Sequence, residues 1–445
     1  MTFITSSDTN IESPLDAYGR LQVSNPLTLF TSKQQSTNDP DQMNTLTVGT
    51  GSATYTAPYP HTNMQVSANG DKVIRQSKLY VPYQPGKTLQ YLMTGTLMDD
   101  TSIDNVRARI GQFDSIIDKT VDSQPTGDGF FFEVIGGTPP IINLVYRDSN
   151  TSDIPAPTPP TQTDTVVPQD DWNIDKVDGT GPSGYVFDPS KRQIFVFQIA
   201  WLGVGDILCG LFNDNKFIPC HRFNFLGTGS GVAYSTRGSL PCRYEIEAIG
   251  VPSNTTTMRQ VCCSVSSDAG FTPRGDNYSV SMTSTKSIST TEVPILSLRL
   301  NQTGTSYKKV RTILNVLKVS LILTANADVI YNIYLFQNPT QFGAGPLTGA
   351  SFVNQSTDVS IPNSAAEYDI SATAIDLTGV TYPFKRFDTG YITKTVSVFI
   401  AEDISERTLL LSSDIPGNSD LLVITMRTFS GNQSAAASIQ WQEFD

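Results

Sequence analysis

Acid–base chemistry in this chain would have to come mainly from carboxylates, because its imidazoles are His61 and His221 alone. His221 follows Cys220 directly, the pairing a thiol nucleophile and its base would use. Adjacent residues on a strand point to opposite faces, so these two cannot share a proton there, and a structural histidine is expected. The cysteines also lack the paired C-x-x-C spacing of a zinc site. Glu245 and Glu247 are the stronger candidates, since an i, i+2 pair shares a strand face. Two carboxylates about 5 to 9 Å apart across a cleft are what a glycoside hydrolase needs, and such a pair sits near the lower limit. The competing and favoured reading is a solvated outer face beside Arg243.

Other motifs point to binding or to turns. Asp170, Asp171, Asp175 and Asp178 surround Trp172, but they depart from the D-x-D-x-D-G loop with a closing Glu that holds calcium, so a structural turn is expected. Residues 179–184, GTGPSG, lack the Lys-Ser/Thr of a phosphate loop and precede a strand, so their glycines are read as turn formers. Arg274, Gly275 and Asp276 spell an adhesion tripeptide that three residues match easily by chance. Aromatic rings near loops can stack on sugars. Trp201 lies in an apolar run and is expected in the core, whereas Trp172, with Asp175 and Tyr185, is the expected glycan contact. No catalytic residue, metal site or cofactor is assigned.

These residues must be carried by strands. At 445 residues the chain has length for two or three domains. Charged residues make up 16%, while 32 Gly and 27 Pro punctuate a sequence rich in Thr, Ser, Val and Ile, an all-β composition. A net charge of -12 argues against nucleic acid, which requires clustered Lys and Arg. The densest basic spot, Lys308, Lys309 and Arg311, is too small. All five cysteines fall between Cys209 and Cys263 and are read as buried free thiols of a protein made in a reducing cytosol. The start has no basic or apolar leader region, and no apolar run approaches the roughly 20 residues of a membrane helix, so no membrane insertion is expected.

Three regions follow. Residues 1–85 are polar with sparse apolar residues and read as an extended N-terminal arm, or equally as strands and loops packed on the next domain. Residues 86–275 carry strong strand signals: an apolar run from 193 to 202, a hairpin of 207–212 and 216–223 around Asn213, Asp214 and Asn215, and an alternating strand at 243–248. They predict a jelly roll interrupted by a Pro-rich loop at 154–168. A Ser/Thr-rich linker at 271–290 leads to a C-terminal β-sandwich over 290–445, in which the alternating run ending at Leu323 and the segment 329–336 are expected to pair as a hairpin.

Two stretches carry a resemblance: residues 16–33, DAYGRLQVSNPLTLFTSK, and residues 168–205, PQDDWNIDKVDGTGPSGYVFDPSKRQIFVFQIAWLGVG. They resemble structural proteins of virions from marine tailed phages and large double-stranded DNA viruses. CHRFNF at 220–225, PCRYEIE at 241–247, LTGASF at 347–352 and EYDISAT at 367–373 extend it. The resemblance implies a lectin-like jelly roll and a penton, minor capsid or tail-associated role through assembly. Partners would be other capsid proteins and further copies of the chain, and the location the virion, after synthesis in host cytoplasm. Asp16, Tyr18, Gly19, Arg20, Pro26 and Phe30 would form the strapping arm. The alternative is a glycan-binding adhesin on a viral spike or tail, with host glycans as partners. A glycan-cleaving enzyme using Glu245 and Glu247 is the third reading, and no enzymatic activity is expected.

Overall fold

The computed structural model describes residues 26–118, 127–149, 162–227, 233–268, 270, 275–301, 312–325, 327–337, 345–354, 358, 361, 363–379, 382, 384–393, 395–399 and 409–444. Nearly all regular structure is antiparallel strand, and the strands sort into two compact units, the strands from Leu27 to Ser267 in one and those from Asp276 to Phe444 in the other. The all-β, two-sandwich expectation holds.

The first unit has two sheets. One runs Thr163–Pro168, Ile141–Asp148, Gly129–Ile135, Val106–Phe113, Cys242–Ala248, Lys72–Ser77 and Met43–Val48. The other runs Lys216–Phe223, Ile207–Asn213, Gln193–Ile199, Leu89–Thr96, Thr256–Ser267, Thr62–Val66 and Ser52–Tyr55, with Leu27–Lys33 also paired to Thr256–Ser267. Alternation along each strand sends Phe130, Phe132, Tyr244 and Ile246 inward, where Phe132 meets Phe195 at 5.2 Å and Phe197 at 5.7 Å. The hairpin at Asn213–Lys216 forms as expected, with Asp214 and Asn215 in the left-handed region that a two-residue turn needs.

Several boundaries differ from the sequence reading. Strands between Leu27 and Ser77 belong to both sheets, so described residues of the supposed arm complete the unit's own fold. Phe30 pairs with Val265 and is buried, while Pro26, just ahead of that strand, is exposed. Sparse apolar residues are enough there because the rest of the core comes from strands far along the chain. The end of the Pro-rich segment, Thr163–Pro168, is an edge strand rather than a loop. Asp276–Ser281 and Lys286–Ile288, read as linker, pair with Gln433–Phe444.

The second unit sandwiches Asp276–Ser281, Gln433–Phe444, Ile313–Leu323 and Thr395–Phe399 against Val353–Asn354, Ala366–Asp369, Val293–Leu300, Leu421–Thr428, Val329–Phe336 and Phe384–Ile392. Ile313–Leu323 and Val329–Phe336 therefore lie in different sheets and form no hairpin. Val319, Leu321 and Leu323 nevertheless share one core with Val329, Tyr331 and Ile333. The opposite face of the second sheet carries a smaller apolar cluster of Tyr334, Phe336, Leu421 and Val423, covered by Leu347 and Ala372.

Because Phe30 is a core residue of the first unit, Phe30→Ala should destabilise the isolated chain by about 3–5 kcal/mol in urea denaturation. A residue that only strapped a neighbour would leave stability within about 0.5 kcal/mol.

Candidate functional site

Glu245 and Glu247 lie on the outward face of the seven-stranded sheet, as their spacing predicted. Register sets Glu245 beside Arg109 and Arg109 beside Glu133, in one row across three strands. Arg109 Nε donates to Glu133 Oε2 at 2.9 Å, and its Nη1 donates to Glu245 Oε1 at 2.9 Å and Glu247 Oε1 at 3.4 Å. Arg243 Nε donates to Glu245 Oε2 at 2.9 Å, Arg107 Nε to Glu247 Oε1 at 2.7 Å, and Lys72 Nζ lies within 3.9 Å of both carboxylates. The guanidiniums also stack: Arg243 lies 5.1 Å from the Phe113 ring, and Arg109 and Arg147 lie 5.3 and 4.9 Å from Phe131.

This corrects the solvated-face reading, since Glu245 and Arg243 are each 1% exposed. Burial alone would raise the Glu245 carboxyl, but the charges of Arg243, Lys72, Arg109 and Arg147 outweigh it and hold it well below the usual range. A hydrolytic pair needs one carboxyl kept protonated near neutrality, and this one is held ionised.

The expected glycan contacts do not converge. Trp172 is buried: its Nε1 donates to the Val167 carbonyl at 3.1 Å, and its ring packs edge-on against Phe132 at 5.7 Å. Asp175 is buried too, accepting from the Val177 and Ser183 amides at 2.8 and 2.7 Å, while Asp178 accepts from the Thr180 amide at 2.8 Å. These carboxylates close the turn, and Gly179 and Gly184 take its positive φ angles. Tyr185 remains half-buried, with its phenol pushed up by burial. Trp201 is half-buried rather than fully in the core and meets Tyr83 edge-on at 5.5 Å. Asp16, Tyr18, Gly19, Arg20 and Arg274 lie outside the described residues, and Asp276 pairs with Glu443 in a sheet. The Cys220 thiol is buried, and His221 Nδ1 accepts the Asn173 amide at 3.2 Å, a structural role as expected.

A surface the sequence did not reveal lies on the second unit. On the outward face of its second sheet, Tyr391 pairs with Ile330 and Ile330 with Arg427. Two residues along, Thr389 pairs with Asn332 and Asn332 with Thr425, so the two rows share a face about 7 Å apart. Tyr391 and Phe429 are 77% and 55% exposed, their rings 6.1 Å apart and within 17° of parallel. In the neighbouring row Glu292 Oε1 accepts from Asn332 Nδ2 at 2.6 Å, Thr425 Oγ1 at 2.5 Å and Tyr334 Oη at 3.0 Å. Arg386 lies 5.6 Å from the Tyr334 ring, with Nη2 3.4 Å from the hydroxyl. Beyond Tyr334 the apolar cluster covers the sheet, and Asn332, Thr425 and Tyr334 are buried, leaving as a shelf the exposed rings, Thr389 and Arg386 with the half-buried Glu292 and Arg427 beside them. Polar Asn332 and Thr425 within apolar strands were the available signal.

No family model and no curated protein matches this chain. Among solved structures it is similar to a legume lectin-like domain from Entamoeba histolytica, at 9% identity over 56% of this chain and 100% of that one, TM-score 0.31. It is also similar to Bacillus licheniformis β-glucanase, at 8% identity over 55% and 98%, TM-score 0.32. A third is the CBM2 module of the evolved Dit of Lactobacillus casei BL23 phage J-1, at 6% identity over 56% and 98%, TM-score 0.33. Likeness at this level transfers no ligand, site or activity.

The Glu245 cluster sets an acid limit. Its depressed carboxyl contributes stability that is complete above the unfolded glutamate value of about 4.3 and is lost as pH falls through the lower folded value. Glu245→Gln should cost about 3–5 kcal/mol at pH 7. In urea titrations from pH 7 to 3 its deficit should shrink below about pH 4; a deficit constant with pH would contradict the assignment.

Proposed function

We propose that this chain is a non-enzymatic, glycan-binding protein carried on a virus particle. The observation that carries the ligand class is the exposed, nearly parallel pair of Tyr391 and Phe429. Two large rings held side by side in water make a patch that single exposed side chains do not, and flat ring faces suit the C–H face of a pyranose while its hydroxyls reach polar neighbours. The non-enzymatic reading is supported by where the reactive groups went: Glu245 and Glu247 are ion-paired, His221 accepts a backbone amide, and Cys209, Cys220, Cys242 and Cys263 are buried. The particle is supported by the resemblance of residues 16–33 and 168–205 to virion proteins.

A second reading, an assembly subunit of the particle, is favoured by Thr163–Pro168. This strand ends its sheet, and Thr163, Asp164, Thr165 and Val166 are exposed, an edge on which a neighbour's strand can add.

The parent chain should bind immobilised oligosaccharides, and the double variant Tyr391→Ala, Phe429→Ala should bind at least tenfold more weakly with an unchanged melting temperature. Absence of parent binding at millimolar sugar would overturn the carbohydrate reading and leave assembly.

A further inference from the structure

Resting on that carbohydrate reading, we infer that the shelf takes a neutral pyranose, with Glu292 Oε2 as its hydroxyl acceptor. Three donors converge on the Glu292 carboxylate and all of them use Oε1. Among the described residues, Oε2 accepts none. The carboxylate is therefore oriented before any ligand arrives, and its second oxygen keeps full accepting capacity, so little further ordering is needed to form a ligand hydrogen bond. Glu292 itself is partly exposed, and Thr389 and Arg386 beside it are exposed.

The spacing fits one sugar ring. The row of Asn332 and Thr425, to which Glu292 is bound, lies two residues from the row of Tyr391, about 7 Å along the strands. A pyranose stacked on Tyr391 and Phe429 then turns an edge hydroxyl toward Glu292. The covered half of the sheet, with Tyr334 at its border and Phe384 packed against the cluster, bounds the shelf on that side.

The chemistry of the Glu292 carboxylate favours a neutral sugar at its position. The acceptor with unused capacity is a carboxylate oxygen; Arg386 is already engaged with the Tyr334 hydroxyl and ring, and Arg427, half-buried in the row of Tyr391, is the cation an acidic sugar would have to use instead, which the uronate arm of the test reads. A sugar carboxylate placed at Glu292 would meet a like charge and supply no donor, but a hydroxyl supplies the donor that Oε2 lacks. The two aromatic residues grip any sugar; Glu292 selects hydroxyl over carboxylate.

The test uses the full chain in calorimetric titrations with neutral glucose, galactose and mannose oligosaccharides and with the corresponding uronates. The parent should bind at least one neutral series at least tenfold more tightly than its uronate. Glu292→Gln keeps a carbonyl oxygen for the three internal donors and should weaken neutral-sugar binding at least tenfold at an unchanged melting temperature. Equal binding by parent and Glu292→Gln, with loss in the Tyr391 and Phe429 double variant, would overturn the role of Glu292 and leave the carbohydrate reading standing. Tighter binding of uronates by the parent would also overturn it, a readout that requires no variant to fold. No sugar binding by the parent would overturn the carbohydrate reading and this inference together.

Discussion

A buried charge must be compensated, and that requirement organises both units of this protein. Only 16% of residues are charged, yet many of those that matter are buried in rows across sheets. Arg109 holds Glu133, Glu245 and Glu247 at once in the first unit, and Arg299 holds Glu367 in the second. Removing one partner would leave an uncompensated ion in a medium that cannot solvate it, which costs several kcal/mol.

Such pairs are modest sources of net stability, because desolvation offsets much of the attraction. Their stronger effect is on register. A one-residue slip of Cys242–Ala248 would send Glu245 into the aromatic core and bring Tyr244 out among the arginines. The same pairing holds the Glu245 carboxyl ionised between guanidiniums. Glu292 differs, for its internal partners are neutral donors on a single oxygen, and it is half-buried on the sheet face that also carries the exposed rings.

Local signals were legible in the sequence. Gln193–Ile199, the hairpin at Asp214 and Asn215, and the facing of Arg243, Glu245 and Glu247 all follow from period-two alternation and turn chemistry. What failed depended on partners far along the chain. Glu245 looked solvated because Arg109 lies 136 residues away. Trp172 looked exposed because Phe132, which covers it, belongs to another strand. Between an arm and a strand packed on the next domain the sequence could not choose for Leu27–Lys33, because its partner is Thr256–Ser267. The shelf escaped notice for the same reason: Glu292, Asn332, Tyr391 and Thr425 meet only once Val293–Leu300, Leu421–Thr428, Val329–Phe336 and Phe384–Ile392 are laid side by side.

The central claim is that the charged and aromatic groups of the first unit serve its internal structure, while the shelf of the second unit is the proposed sugar site. Hydrogen exchange of the full chain, with and without saturating neutral hexose oligosaccharide, tests it most directly. The account predicts slowed exchange at amides of Phe384–Ile392 and around Glu292 and Phe429, with the turn between Gln169 and Asp188 unchanged. Protection confined to that turn, with none on the shelf, would contradict it.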